Sequence, residues 1–282
     1  MASLSPVAHG VDPRNGSRRY LMCRPSYFDV RYAINPWMDP TVRVDTALAV
    51  RQWEDLVHAY RKLGHTVELL DPAADLPDMV FTANGAFVLD GQALGSRFAN
   101  PVREPEAELH RRRLKEEAID VVVPDHDVEG EGDIAWTGAL AIAASGFRSA
   151  PHTADTVTRV FGVPALAVEL VDPRFYHLDT ALCVLDRSTI AWYPPAFSAA
   201  SQQDIRSRFT TIDATEDDAL VLGLNAVSDG VHVVLAEQAK TLAAQVRTAG
   251  FEPVEVDVSE LKKSGGGIKC ATAEWHTTVV RE

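Results

Sequence analysis

The chain has 282 residues, of which 46% are hydrophobic and 24% are charged, the composition of an ordinary globular protein. Acidic residues outnumber basic ones, and the net charge of −13 argues against nucleic acid or an anionic membrane surface as a partner, while it suits a small cationic ligand. The three cysteines, Cys23, Cys183 and Cys270, are widely spaced. The sequence therefore predicts neither a disulfide framework nor a zinc site, and a reducing, cytoplasmic location is expected.

The N-terminal residues 1–18 contain Pro, Gly, Asn and Ser and predict a flexible tail, because they lack the basic segment and apolar core of a signal peptide. No linker, low-complexity tract or charge run divides the rest of the chain. This predicts a single domain over residues 19–282. No apolar run reaches the length needed to cross a membrane.

A long loop rich in aromatic residues, defined here as the aromatic loop (residues 26–41), follows a short predicted strand at 20–22. The loop contains Tyr27, Phe28, Tyr32 and Trp37 and is interrupted by two prolines. Loops of this kind often cover a binding pocket. The alternative is a loop that packs as a hydrophobic plug, and the sequence leaves both open.

A helix followed by a β-rich strand recurs five times, at junctions spaced about 40 to 55 residues apart. The predicted helices cover 45–63, 104–117, 153–161, 198–208 and 237–249, with alternating, β-branched stretches between them. Each unit would contain about three strands and one helix, and five such units around an axis form a five-bladed α/β propeller with a central site. An open doubly wound sheet is the alternative, but no G-x-G-x-x-G follows the first strand.

Two polar stretches in the first half of the chain are candidate ligand contacts. Asp78 and Asn84 flank an apolar Met-Val-Phe segment, and in a strand both side chains would point to one face; a capped turn before a hairpin corner is the alternative. Further on, Glu129, Glu131 and Asp133 alternate with glycines. An exposed acidic turn is the ordinary interpretation. The apolar residues that follow instead predict that these carboxylates lie at the start of a buried strand, where they could pair with a guanidinium.

A histidine and two arginines supply further candidates. His177 and Asp179 are two residues apart, so in a strand they would share a face, which places an imidazole beside a carboxylate. A structural histidine is the alternative. Arg103 and Arg148 could each bind a substrate carboxylate through two hydrogen bonds, although surface arginines are common.

The glycine-rich stretch at residues 264–276 contains the candidate nucleophile. Gly265, Gly266 and Gly267 allow a close approach of the backbone to a ligand, and Cys270 follows them on the predicted bend. We expect the positive charge of Lys269 to lower the pKa of this thiol and favour the nucleophilic thiolate. The alternative is a turn into a last strand, with Cys270 as a small buried hydrophobe.

Taken together, these residues resemble the guanidine-modifying, or pentein, superfamily, which includes dimethylarginine dimethylaminohydrolases, arginine dihydrolases, arginine deiminases and amidinotransferases. The resemblance covers about residues 19 to 276. Each motif alone is weak evidence for the family, but the order of the four motifs is specific to it. The ordered motifs are Asp78, Phe81 and Asn84; Glu129 to Asp133; His177 and Asp179; and Gly266, Gly267 and Cys270. The resemblance implies a five-bladed α/β propeller, in agreement with the five junctions.

The resemblance also implies a mechanism. Cys270 would attack the guanidino carbon, and His177 would act first as general acid and then as general base. Asp78 and one acid of the turn at Glu129, Glu131 or Asp133 would hold the substrate guanidinium, with help from Asp179 and Asn84. Neither a metal nor an organic cofactor is implied.

The chain departs from the family pattern in two places. The acidic turn has one residue more than the common Glu-Gly-Gly-Asp form, so the acid in the catalytic role stays open. The relatives that release citrulline usually carry an acid at the position of Asn84. An amide there, together with Asn35 in Ile-Asn-Pro-Trp-Met, resembles the arginine dihydrolases, which convert arginine to ornithine.

The predicted function is hydrolysis of guanidino C–N bonds in free arginine or an Nω-methylarginine through a covalent Cys270 adduct. An amidinotransferase is the enzymatic alternative, and a non-catalytic binding protein of this fold is the alternative from another class. The sequence does not determine the oligomeric state, and it is compatible with a homo-oligomer.

Overall fold

The computed structural model describes residues 16–278, so most of the predicted N-terminal tail lies outside the described residues. The helices are α1 Thr46–Lys62, α2 Glu104–Glu116, α3 Thr153–Phe161, α4 Leu178–Ala181, α5 Ala199–Arg208, α6 Glu216–Leu220, α7 Lys240–Thr248 and α8 Ser259–Lys262. The strands are β1 Arg19–Cys23, β2 Thr66–Leu70, β3 Ala86–Leu89, β4 Gln92–Gly95, β5 Asp120–Val122, β6 Ile134–Trp136, β7 Ala141–Ser145, β8 Ala165–Glu169, β9 Leu182–Val184, β10 Thr189–Trp192, β11 Thr210–Asp213, β12 Val227–Ser228, β13 His232–Ala236, β14 Glu252–Val256 and β15 Ala273–His276. The predicted α/β class is confirmed.

The strands form five three-stranded units with one pairing rule. In each unit an antiparallel pair is followed by a parallel partner, as in β6, β7 and β8 or in β12, β13 and β14. A helix connects the two parallel strands, as α3 connects β7 to β8, because parallel neighbours need a crossover connection. The five helices predicted from the sequence are the five crossover helices, α1, α2, α3, α5 and α7, with ends shifted by up to three residues.

The two ends of the chain meet in one unit. The last strand, β15, pairs antiparallel with β1, with Tyr20 opposite Glu274, and β1 pairs in parallel with β2. On its other side β15 pairs with β3, which joins this unit to the next in a six-stranded sheet of order β2-β1-β15-β3-β4-β5. The described residues therefore form four hydrogen-bonded sheets rather than five separate ones.

Helix α1 shows how local sequence signals set the elements. The side chain of Asp45 accepts a hydrogen bond from the Leu48 backbone N–H at the start of the helix, as a preferred N-cap residue does. After the helix, Gly64 takes a positive φ of 87°, which glycine adopts at little cost. The buried face of the helix includes Trp53, Leu56 and Tyr60, and it packs in a cluster that also contains Cys270.

Two strand predictions near the site are wrong in local structure. Residues Pro77–Val80 and Thr82–Gly85 form two short 3-10 turns, because Pro77 starts a turn and Phe81 interrupts it. His177 precedes the single-turn helix α4, which contains Asp179. The even spacing in these segments therefore does not place the side chains on one face of a strand; the chain brings them together through turns.

Candidate active site

Cys270 lies at the inner end of the glycine-rich stretch and is only 2% exposed. Gly265 has a φ of 77°, and a Cβ at Gly266 would lie 2.2 Å from the ring of Phe81. Both positions therefore favour glycine, one for its backbone conformation and one for its lack of a side chain. The Cys270 sulfur lies 3.0 Å from Oδ2 of Asp179, to which it donates, and 3.1 Å from the donating Nδ2 of Asn225.

The prediction that Lys269 activates the thiol is wrong. Nζ of Lys269 donates to Glu131, at 2.9 Å, and to the Thr272 carbonyl, rather than to the sulfur. Burial raises the pKa of the Cys270 thiol well above its ordinary value, and the neighbouring Asp179 carboxylate raises it further. In the free protein the sulfur is therefore protonated at neutral pH, and an added positive charge would be needed to ionise it.

The His177 imidazole is held by the acidic turn. Its Nε2 lies 2.9 Å from Oε2 of Glu129. Burial opposes ionisation of Glu129, but the hydrogen bond and positive charge of His177, with the charge of Arg148, lower the pKa of this carboxyl to about 2. An ionised carboxylate only accepts hydrogen bonds, so Nε2 carries a proton, and Nδ1 is the ring nitrogen that Glu129 leaves uncontacted.

The other two acids of the turn have different surroundings. Asp133 accepts hydrogen bonds from the Ser149 hydroxyl and from the Leu178 backbone N–H, next to His177, and burial raises its pKa to about 6. Glu131 points away, toward Lys269, His276 and the backbone N–H of Glu274. Glu129 is thus the acid of the turn that hydrogen-bonds the catalytic candidate His177, while Oδ2 of Asp133 lies 4.0 Å from the same nitrogen.

Arg103 joins the two residues of the first polar stretch. Its Nη1 donates to Oδ1 of Asn84 at 2.9 Å, and its Nε lies 4.0 Å from Oδ2 of Asp78. Two hydrogen bonds connect Arg103 to Glu106, and burial raises the pKa of Glu106 to about 7 although the arginine opposes this shift. Because Arg103 holds the amide oxygen of Asn84, it orients the amide nitrogen.

The aromatic loop covers the site, and three of the candidates contact it or belong to it. Tyr32 donates to Asp78 at 2.7 Å, Asn35 donates to the Ser264 carbonyl at 3.0 Å, and Arg148 donates to the Ile34 carbonyl at 2.8 Å. Three further residues, Phe28, Val30 and Met38, pack in the hydrophobic cluster around Cys270. Both interpretations of the loop therefore hold, since it covers the site and also packs as a plug.

Three buried polar atoms beneath the loop have no hydrogen-bond partner within residues 16–278: Nδ2 of Asn84, Nδ1 of His177 and Oδ1 of Asp179. A Cβ at Gly132 would lie 2.3 Å from the first and 3.2 Å from the second, so these two atoms face the same small space. Buried polar atoms are normally paired, and unpaired ones indicate where a ligand or a water binds.

Three supporting residues were not identified from the sequence. Asn225 is fully buried and contacts Cys270 through both ends of its amide, because its Oδ1 also accepts from the Cys270 backbone N–H. Ser149 connects Glu129 to Asp133, and Tyr176 donates to the Gly265 carbonyl. None of them belongs to a motif, and a Gly-Leu-Asn turn before β12 is the one local signal for Asn225.

Two features are absent from residues 16–278. No group of three or more His, Cys, Asp or Glu side chains there is arranged to hold a metal ion. Within the same residues, no helix has the length and apolar character that crossing a bilayer requires.

Known proteins match this chain over most of its length. The family model of eukaryotic N,N dimethylarginine dimethylhydrolase matches residues 25–277. The N(G),N(G)-dimethylarginine dimethylaminohydrolase of Mycobacterium tuberculosis is 49% identical over 92% of this chain and 86% of its own length. The bifunctional arginine dihydrolase/ornithine cyclodeaminase ArgZ of Synechocystis is 35% identical over 90% of this chain and 37% of its own length.

A solved structure of the ArgZ N-terminal domain, a variant covalently bound to a reaction intermediate, superimposes with a TM-score of 0.89 at 33% identity and covers 93% of this chain and all of that one. Fold, site and relatives together define a cysteine-dependent C–N hydrolase acting on guanidino groups, within the pentein superfamily. More narrowly, the chain belongs to the N,N-dimethylarginine dimethylhydrolase family.

Proposed function

We propose that the protein hydrolyses the guanidino group of free arginine or an Nω-methylarginine, with Cys270 as nucleophile and His177 as general acid and base. One observation carries the proposal: the Cys270 sulfur contacts Asp179 and Asn225 in a buried site that also contains the unpartnered Nδ1 of His177. This reaction needs a nucleophile, a proton-transfer group and a carboxylate that is not yet paired with a cation.

The chemistry starts from a protonated thiol. A bound guanidinium near Asp179 brings the positive charge that stabilises the thiolate, and the proton passes to His177. The sulfur adds to the guanidino carbon, and His177 returns the proton to the departing amine. Water then adds to the same carbon, His177 accepts a proton from it, and the C–S bond breaks with its electron pair on sulfur. Glu129 keeps His177 in the required tautomer throughout.

The two arginines have different proposed roles. Arg148 bonds Glu129 and the aromatic-loop carbonyl of Ile34 and lies over the ring of Tyr176. We assign it to the substrate carboxylate when the loop rises, because that movement frees one side of its guanidinium. Arg103 contributes indirectly, because it orients Asn84. The predicted contacts of Asp78 and Asn35 with substrate stay predictions, since both side chains bond to the covering loop or to residue 264.

Arginine dihydrolase activity is the second candidate within this mechanism, and the orientation of Asn84 favours it. With Oδ1 held by Arg103, the amide presents N–H to the site. A donor suits the oxygen of a neutral ureido group such as that of citrulline, which would stay bound for a second hydrolysis to ornithine. The 49% identical relative is named for dimethylarginine, so the two substrates need a direct comparison.

The test is an incubation of the protein, and of Cys270→Ser beside it, with arginine and with asymmetric dimethylarginine. Citrulline with dimethylamine would identify a dimethylargininase. Ornithine with two equivalents of ammonia and one of carbon dioxide would identify a dihydrolase. Turnover that requires an added amine acceptor would instead identify an amidinotransferase, and no consumption of either substrate by the wild-type protein would contradict the proposal.

The finer architecture belongs to the same proposal. We infer that the five three-stranded units surround one axis as a five-bladed propeller. The pairing of β15 with β3 and the contacts of β9 with both β6 and β12 support this arrangement. The proposal also includes a single catalytic domain over residues 19–282, a cytoplasmic location and a small cationic amino acid as substrate.

A further inference from the structure

A cavity of about 60 Å³, here called the rear cavity, lies among the inner strands β6, β9, β12 and β15. Its lining is mixed: charged side chains, among them Glu131, Lys269, Glu274 and His276, form one part, and apolar side chains form the larger part. Its volume is enough for several water molecules, and its charged groups offer the hydrogen-bond partners that a buried water needs.

Apart from Asp179, the charged groups around the rear cavity are paired with one another. Glu131 bonds Lys269 and His276, and Glu274 lies 3.0 Å from Arg18. Because these charges are already balanced, the cavity offers little to an ionic ligand and suits a neutral polar one. Water is the molecule of that class that the proposed reaction consumes.

The rear cavity adjoins the nucleophile through two residues. Lys269, which precedes Cys270, and Asp179, whose Oδ2 lies 3.0 Å from the Cys270 sulfur, both line it. The other oxygen of Asp179 is buried without a partner in the described chain. Asp179 therefore forms a common wall between the cavity and the reacting sulfur.

The opposite side of the site is closed. The aromatic loop bonds Asp78, Ser264 and Arg148 as described above, and the indole nitrogen of Trp37 donates to the Arg174 carbonyl at 2.7 Å. With these contacts in place the loop lies over the site, and Cys270 is only 2% exposed.

We propose that the rear cavity supplies the water that hydrolyses the Cys270 adduct while the aromatic loop stays closed. The water oxygen bonds to the adduct carbon, one of its protons passes to His177, and the C–S bond breaks with its electron pair on sulfur, which is then reprotonated. This inference rests on the proposed function. A supply from the rear also allows two successive hydrolyses without loss of a citrulline-like intermediate.

The experiment fills the cavity from two strands, with Ala135→Leu on β6 and Ala226→Leu next to β12, since both alanines line it. Val184→Ala is the matched control, because Val184 also lines the cavity and its truncation enlarges it. Single-turnover reactions with arginine and with dimethylarginine are quenched at intervals, and the adduct on Cys270 is followed by mass spectrometry. Circular dichroism and melting temperature show which variants fold.

We expect the filled variants to form the adduct at the wild-type rate and to lose it at least tenfold more slowly, with both rates unchanged in Val184→Ala. Adduct decay at the wild-type rate in a folded, filled variant would overturn the inference. So would an equal fall of both rates, or slower decay in Val184→Ala. If the wild-type protein forms no adduct at all, the proposed function fails, and the inference fails with it.

Discussion

The two sides of Cys270 differ in how their polar groups are satisfied. Beneath the aromatic loop, Asn84, His177 and Asp179 each keep one buried polar atom without a partner in the described chain. On the rear side, Glu131, Lys269 and His276 are bonded to one another. Unpaired buried atoms cost stability and persist where a ligand completes them. The unpaired atoms belong to the side proposed to bind substrate, whereas the charges of Glu131, Lys269 and His276 on the rear side are already paired.

The pKa values follow the same division. On the substrate side, burial raises the pKa of both Cys270 and Asp179. On the rear side burial would lower the pKa of His276, but the charges of Glu274 and Glu131 raise it to about 9. His276 therefore stays charged and paired at neutral pH, whereas the proposed mechanism requires Cys270 to lose its proton when a cation enters.

The largest expected effect comes from removing the unpartnered imidazole nitrogen. His177→Asn should lower kcat about 10²- to 10⁴-fold, the usual contribution of general acid–base catalysis. The matched control is His58→Asn, at an exposed position of α1, which should leave kcat unchanged. Product formation under saturating substrate measures both. Activity within tenfold of wild type in His177→Asn would remove this residue from the mechanism.

The protonated thiol predicts selective alkylation. Chloroacetamidine, a cation, should inactivate the protein about 10- to 10³-fold faster than neutral chloroacetamide at pH 7, because a nearby positive charge lowers the thiol pKa. With the neutral reagent the rate should rise about tenfold per pH unit, since the raised pKa keeps the thiol protonated below it.

Asp179→Asn sharpens this test. It removes the carboxylate that raises the pKa of Cys270 and attracts the cation, so the neutral reagent should react faster and the cationic one more slowly. A pH-independent rate with chloroacetamide would show instead that the thiolate already exists in the free protein.

The orientation of Asn84 predicts the product. If the dihydrolase assignment holds, Asn84→Asp should raise the ratio of citrulline to ornithine by about tenfold or more, because a carboxylate repels the ureido oxygen that the amide would bind. Asn100→Asp, outside the site, is the matched control. Chromatography of the amino-acid products measures the ratio, and an unchanged ratio would remove Asn84 from the choice of product.

Substitutions on the rear side are expected to have the smallest effect on catalysis and a clear effect on stability. Glu131→Gln removes the buried negative charge that pairs with both Lys269 and His276 and should lower the free energy of unfolding by about 3–5 kcal/mol. Glu54→Gln breaks the exposed pair with Arg24 and should cost about 0.2–1 kcal/mol. Chemical denaturation compares the two, and equal costs would contradict the contrast drawn between buried and exposed pairs.

The sequence predicted the repeat but not every side-chain position. Apolar spacing and the glycine at 64 predict helix α1 because both signals are local. The choice among Glu129, Glu131 and Asp133 was open, because one added residue in a turn redirects each side chain and only the packed loop shows that Glu129 contacts His177. Asn225 could not be identified, since its contact with Cys270 joins residues that are 45 positions apart. The effect of Lys269 was misjudged because its partner, Glu131, is distant in sequence.

The role of Cys270 is tested most directly by the mass of the Cys270 peptide when a reaction with arginine or dimethylarginine is rapidly quenched. Nucleophilic catalysis by Cys270 predicts a covalent amidino adduct on this residue that forms and decays fast enough to match turnover and is absent in Cys270→Ser. Turnover without any adduct on Cys270, or turnover that persists in Cys270→Ser, would contradict nucleophilic catalysis by this residue.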